Sequence, residues 1–183
     1  MLTIPNLVSL IRLLMIPVFL WLLIGRDNAA GAGWLLLAIG GTDWVDGYLA
    51  RRLDQVSEFG KLLDPVADRL AVATAVIAGW ATGVLPEWFA ALLVIREALI
   101  GLGALALAIK AKTKLDVRKL GKLATFLLYG AIPAFYVSAG GFLPSLFEPA
   151  AWIAGVVGLI LYYWVGGQYV LDVKHTLTTP EAG

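Results

Sequence analysis

Residues 33–81 read GWLLLAIGGTDWVDGYLARRLDQVSEFGKLLDPVADRLAVATAVIAGWA. Two apolar runs lie within them, Gly33–Ala50 and Leu62–Ala81, and a bilayer core takes about 20 apolar residues per crossing. Both runs nevertheless hold carboxylates, Asp43 and Asp46 in the first and Asp64 and Asp68 in the second. A charge placed in hydrocarbon is expensive, so these four acids mark a place where something other than hydropathy has selected the residue. The short polar linker makes the two runs antiparallel neighbours, whose acidic faces can meet near one membrane surface.

Composition points the same way. Hydrophobic residues make up 60% of the 183 and charged ones only 15%, with a mean hydropathy of +0.85; a soluble globule does not look like this. A disordered chain is excluded, and so is a disulfide-built secreted module, because there is no cysteine. Thiol redox chemistry goes with it. A net charge of +1 gives no reason to expect nucleic-acid binding.

Six runs fit a crossing helix: Leu7–Ile24, Gly33–Ala50, Leu62–Ala81, Trp88–Ile109, Leu120–Ala139 and Ala150–Leu171. They leave no room for a soluble domain, so residues 1–183 are expected to form one all-α, polytopic membrane domain with six transmembrane helices. The first run is long and no Lys or Arg precedes Arg12, which argues against a cleaved signal ending near Ala30-Gly31-Ala32. Pro5 and Asn6 open a helix, and Asn6 to Arg12 is expected as a short interfacial segment.

Cations set the sidedness. Ten of the 14 basic residues (Arg51, Arg52, Lys61, Lys110, Lys112, Lys114, Arg118, Lys119, Lys122 and Lys174) fall on one side, whereas the opposite loops offer only Arg26. The positive-inside rule then predicts a multi-pass protein of the cell membrane with both termini and the acidic site cytoplasmic. Trp34, Trp80, Trp88 and Trp152 fall near the opposite helix ends, as interfacial anchors should.

Asp43 and Asp46 are three apart on one helical face that continues through Gly47 and Ala50; Asp64 and Asp68 are four apart, with Gly60 one turn earlier. Four such carboxylates cannot all stay ionised without counter-charge. Arg51, Arg52, Arg69 or Arg96 would supply it if the acids merely held helices together. The interleaved small residues clear space for a ligand instead, and hard oxygen donors in two pairs are what one or two Mg²⁺ or Mn²⁺ ions require.

The pattern Asp43-x2-Asp46-Gly47-x2-Ala50-Arg51-x8-Gly60-x3-Asp64-x3-Asp68 resembles the eight-position signature of the CDP-alcohol phosphatidyltransferases, with every fixed residue in place. The likeness extends to the Ile4-Pro5-Asn6 opening with Ser9 and Arg12, to Asp64-Pro65-x-Ala67-Asp68 as in the glycerophospholipid branch, to Arg96-Glu97, and to Gly121-Lys122-x2-Thr125. The resemblance implies six helices, a homodimer, and transfer of a phosphatidyl group from CDP-diacylglycerol to an alcohol with release of CMP. It implies two divalent cations, Mg²⁺ or Mn²⁺, held by Asp43, Asp46, Asp64 and Asp68, with Asp68 also the catalytic base on the acceptor hydroxyl. Gly47, Ala50 and Gly60 would let the nucleotide approach the helices, and Arg51, Ser57 and Asn6 would contact its phosphates or cytidine.

For the acceptor, Asp64-Pro65 argues against inositol phosphate. Enzymes using glycerol-3-phosphate resemble this chain less where they carry a second Arg and a second Lys, because Ala104 and Ala124 stand there. A dianionic monoester would want those cations, so the expectation is phosphatidylglycerol as acceptor, giving cardiolipin, with glycerol-3-phosphate as the alternative. Arg96, Arg118 and Lys122 are the candidate acceptor-binding residues; the bland reading of Arg96 is a structural pair with Glu97, and that of the run Lys110–Lys122 is a solvated loop near anionic lipid. Gly155-x2-Gly158 and Gly166-Gly167 are expected to permit close helix packing, the Trp and Tyr of the last helix to face lipid or the interface, and His175 to be inert. Two other classes compete. An ion-coupled small carrier could use intramembrane Asp residues but does not need the Gly-x2-Ala-Arg spacing, and membrane prenyltransferases space their acids differently on a larger bundle.

Overall fold

A computed structural model describes the backbone of residues 4–53, 58–110 and 119–178, and the side chains of residues 10–41, 66–99 and 120–168. Six long helices follow the six expected runs in order: α1 Ile4–Leu20, α2 Ala29–Leu53, α3 Glu58–Ala81, α4 Glu87–Lys110, α5 Lys119–Ala139 and α6 Pro144–Thr178. No strand occurs among the described residues. The helices outrun the apolar stretches because good helix formers continue past the hydrophobic limit, as at Glu58 and Lys61 before α3's apolar part. The expected interfacial segment from Asn6 to Arg12 is the continuous beginning of α1.

The helix ends carry local signals. After α1 the chain widens into a π-helical turn, Trp21–Gly25. Asn28 then caps α2, its Oδ1 accepting from the Gly31 N–H at 2.8 Å. At the end of α5, Gly141 takes φ +78°, the Phe142 N–H bonds Val137 O at 3.2 Å and the Gly141 N–H bonds Ser138 O at 2.9 Å. That is a Schellman stop, and Pro144 starts α6 directly after it.

α5 is the hub. It packs against α6, α2 and α3, while α1 lies on α3 and α2, and α4 on α3 and α6. The core around α5 is aromatic and close-fitting: Tyr136 is fully buried, meets Phe19 edge-on at 5.4 Å, and donates its hydroxyl to Ala75 O at 2.6 Å. Glycines let helices approach. A Cβ at Gly33 would sit 2.8 Å from Pro133 O and from Val137, and one at Gly158 would press on Leu128. The Gly155–Gly158 expectation therefore holds, whereas Gly166 and Gly167 face open space with no atom within 4 Å.

Gly33→Val should lower stability by about 1–3 kcal/mol through this overpacking, read as a lower unfolding temperature in detergent. Gly130→Ala, where nothing lies within 4 Å, should match or exceed the parent. Equal melting of the two variants would contradict the close α2–α5 contact.

The outside of the bundle is apolar. Leu14, Ile24, Ile77, Phe126, Leu146, Ile153, Ile160 and Trp164 are all exposed, an arrangement suited to lipid rather than water. Leu120–Ala139 and Pro144–Gln168 are long and apolar enough to cross a membrane, and Leu10–Gly25 and Ala29–Gly41 are shorter apolar stretches. The described parts of α3 and α4 carry charged residues, Asp68 and Arg69 in the one and Arg96 and Glu97 in the other. Trp34, Trp80 and Trp88 are exposed, and Trp88 stacks on Trp152 at 5.6 Å.

Candidate active site

α2 carries Asp43, Asp46, Gly47, Ala50 and Arg51 on one unbroken helix, and α3 carries Gly60, Asp64 and Asp68 on another. The three- and four-residue spacings therefore act as helical spacings, and each set shares a face. The side chains of Asn6, Asp43, Asp46, Gly47, Ala50, Arg51, Gly60 and Asp64 lie outside the described residues, as do Ser57 and Arg118 altogether. Among the described residues no group of three metal-ligating side chains occurs, since three of the four signature acids are outside that set.

Asp68 is described, and its environment is informative. Arg12 reaches across from α1 and its Nη1 donates to Asp68 Oδ1; the guanidinium side is 6% exposed and the carboxylate side 34%. A buried cation of this kind needs a matched acceptor, so the pair fixes where the Asp68 carboxylate points. Behind it lies a cavity of about 60 Å³ lined by Arg12, Leu36, Gly40, Asp68, Ala75, Tyr129 and Pro133, among others. The described parts of α2 and α3 both line this cavity, Leu36, Ile39 and Gly40 from the one and Asp68, Ala71, Val72 and Ala75 from the other; the ends at which the acidic faces are expected to meet lie outside the described side chains.

A second polar centre sits between α4, α5 and α6. Arg96, 5% exposed, bonds Glu97, donates from Nη2 to Thr125 Oγ1 at 3.4 Å and lies 4.0 Å over the Tyr162 ring. Its Nε has no hydrogen-bond partner among the described residues. Thr125 in turn donates to Gly121 O at 3.1 Å. Tyr162 and Tyr163 are half-buried, and the Tyr163 hydroxyl donates to Leu92 O at 2.7 Å, so these two tyrosines hold α6 to α4 instead of facing lipid. Lys122 is exposed on α5.

Four acids on two helical faces, one of them shown as a carboxylate with a third of its surface open, are a donor set that fits divalent cations. The sequence reading missed Tyr129. A signal was present, because Gly121, Thr125 and Tyr129 recur every fourth residue on one face of α5.

Residues 2–164 match the CDP-alcohol phosphatidyltransferase family. The chain belongs to that family. A cardiolipin synthase (CMP-forming) of Streptomyces coelicolor is 38% identical, over 99% of this chain and 87% of that protein. Two relatives named CDP-diacylglycerol–glycerol-3-phosphate 3-phosphatidyltransferase match shorter stretches. The one from Pseudomonas fluorescens is 47% identical over 40% of this chain and 39% of its own, and the one from Bacillus subtilis 37% over 53% and 58%. As a CDP-alcohol phosphatidyltransferase the chain is an enzyme of phospholipid synthesis.

Proposed function

We propose that this phosphatidyltransferase uses CDP-diacylglycerol as donor and phosphatidylglycerol as acceptor, releasing CMP and forming cardiolipin. The observation that carries the choice is Ala124, which is 0% exposed on α5, where a glycerol-3-phosphate enzyme would be expected to place a lysine. A monoester dianion would have one cation fewer there, while a diester carries a single charge and brings acyl chains whose burial adds binding. The Streptomyces relative's name agrees with this choice. Glycerol-3-phosphate is the second reading, favoured by exposed Lys122 one turn from Thr125 and by the names of the two shorter-matching relatives.

In this reading the whole chain acts as one multi-pass domain of the cell membrane, six helices crossing, with the acids and both termini on the cytoplasmic side, and it works as a homodimer. Asp43, Asp46, Asp64 and Asp68 would hold two Mg²⁺ or Mn²⁺ ions, which neutralise the donor pyrophosphate and make its phosphorus electrophilic. Asn6, Gly47, Ala50, Arg51, Ser57 and Gly60 would receive the nucleotide. Arg96, Arg118 and Lys122 would serve the acceptor, Arg96 through the Thr125 and Tyr162 cluster that holds it.

The chemistry asks one proton transfer of the protein. Asp68, oriented by Arg12, takes the proton of the acceptor hydroxyl. The freed oxygen attacks the phosphorus bearing diacylglycerol, a new P–O bond forms, and the bridge to the cytidine phosphate breaks. CMP departs with that electron pair.

Purified enzyme with CDP-diacylglycerol and Mn²⁺ should convert phosphatidylglycerol to cardiolipin at least about tenfold more efficiently than it converts glycerol-3-phosphate, a difference of about 1.4 kcal/mol in transition-state binding. Mass analysis of the lipid products decides it, and efficient formation of phosphatidylglycerol phosphate alone would reverse the acceptor assignment.

A further inference from the structure

The cavity behind Asp68 has more polarity than its size requires. Most of its wall is hydrocarbon, from Leu36, Ile39, Ala71, Val72, Ala75 and Ile132, yet Arg12, Asp68 and Tyr129 all line it. Tyr129 stands apart from the other described tyrosines. Tyr136 and Tyr163 donate their hydroxyls to backbone carbonyls and Tyr162 lies under the Arg96 guanidinium, but no hydrogen bond of the Tyr129 hydroxyl occurs among the described residues. The ring is half-buried, and its hydroxyl lies within electrostatic reach of Arg96, Glu97, Arg69 and Arg12, between the two polar centres. Its oxygen is not among the sealed, unpartnered polar atoms, so it is open to bond a ligand or a water that enters the cavity.

The backbone adds an acceptor on the same wall. Pro133 sits inside α5 and also lines the cavity. Having no N–H, it leaves the carbonyl four residues earlier, that of Tyr129, without its helical donor. The accessible space of about 60 Å³ is several times the roughly 10–15 Å³ that a single water needs by the same measure, which is room for the hydroxyl-bearing end of an acceptor. Asp68, which lines this space, receives the acceptor's attacking hydroxyl in the mechanism above. The adjoining carbon of a glycerol unit carries a second hydroxyl.

We infer that Tyr129 is a specificity residue that binds this secondary hydroxyl, so that the cavity recognises a vicinal diol and not merely a primary alcohol. The inference rests on the transferase reading above, and it holds for either glycerol acceptor. A site built to bond a hydroxyl rejects the analogue that lacks it, because its own polar group is then left unpaired. Tyr129 acts on choice and orientation of the acceptor and takes no proton.

The test uses the full-length enzyme in lipid nanodiscs, wild type and Tyr129→Phe, with two acceptors that differ only in that hydroxyl: phosphatidylglycerol and phosphatidyl-1,3-propanediol. If the wild type uses the soluble acceptor, the pair becomes glycerol-3-phosphate and 3-hydroxypropyl phosphate. Wild type should favour the diol by about tenfold in kcat/KM, the scale of one hydrogen bond. Tyr129→Phe should reduce that preference to about twofold or less through a higher KM for the diol, with KM for CDP-diacylglycerol unchanged. A preference that survives in Tyr129→Phe, or equal losses on both acceptors, overturns the assignment. So does a wild type that turns over both acceptors equally, a result independent of how the variant folds. Absence of CMP release from the wild type with every acceptor overturns the transferase reading itself, and this inference with it.

Discussion

Asp68→Asn enzyme should release CMP at least about a hundredfold more slowly than wild type, the lower end of what a positioned base contributes, while retaining part of its affinity for the nucleotide. The asparagine keeps the shape and the acceptor oxygen facing Arg12 but cannot take a proton. Arg12 is buried and bonded to Asp68, so the substitution also removes the charge that balances it, and a lower melting temperature should accompany the kinetic loss. Asp46→Asn separates the roles, since a ligand that is not the base should weaken cation and nucleotide binding together. Measuring CDP affinity beside single-turnover CMP release resolves the two. Near-normal turnover by Asp68→Asn would remove it as the base.

Chelation should act on everything at once. With excess EDTA, CMP release should fall below detection, and added Mg²⁺ or Mn²⁺ should restore it, because four carboxylates facing a pyrophosphate call for neutralising charge of the density that divalent ions supply. CDP-diacylglycerol binding should fall in parallel, which distinguishes loss of the ions from inhibition of a later step. Activity that persists in chelator would mean that the acids serve another purpose, such as the purely structural pairing that Arg12 makes with Asp68.

The reading of the chain from its residues succeeded where a single periodicity or spacing carried the information. Apolar runs bounded by charge, Gly or Pro locate the six long helices, and the spacing of Asp43, Asp46, Asp64 and Asp68 carries the resemblance to the family that residues 2–164 match. Contacts between distant helices were less accessible. Arg12 was visible as one more cation in an apolar run, but its partner lies 56 residues away, and no local pattern pairs them. Tyr129 looked like any tyrosine in a membrane helix, because its significance comes from a cavity that three other helices help to enclose. The expectation that the tyrosines of α6 face lipid or the interface misses their partners for the same reason: hydropathy gives the surface a residue prefers, whereas the neighbour it meets is decided by packing. Gly155 and Gly166 make the point in one helix, the first pressed against Phe89 and the second facing open space.

The length of α6 has its own consequence. Its 35 residues make a rod of about 52 Å at 1.5 Å per residue, against a hydrocarbon layer of about 30 Å. Even a tilt of about 40°, the steep end of the usual range, leaves a projection of roughly 40 Å. Where a helix of this length crosses a bilayer, two turns or more stand in the headgroup layer or beyond it, carried on continuous helix. Asp172, Lys174 and His175 then stand on the same continuous helix whose Gly158 seats on Leu128 of α5.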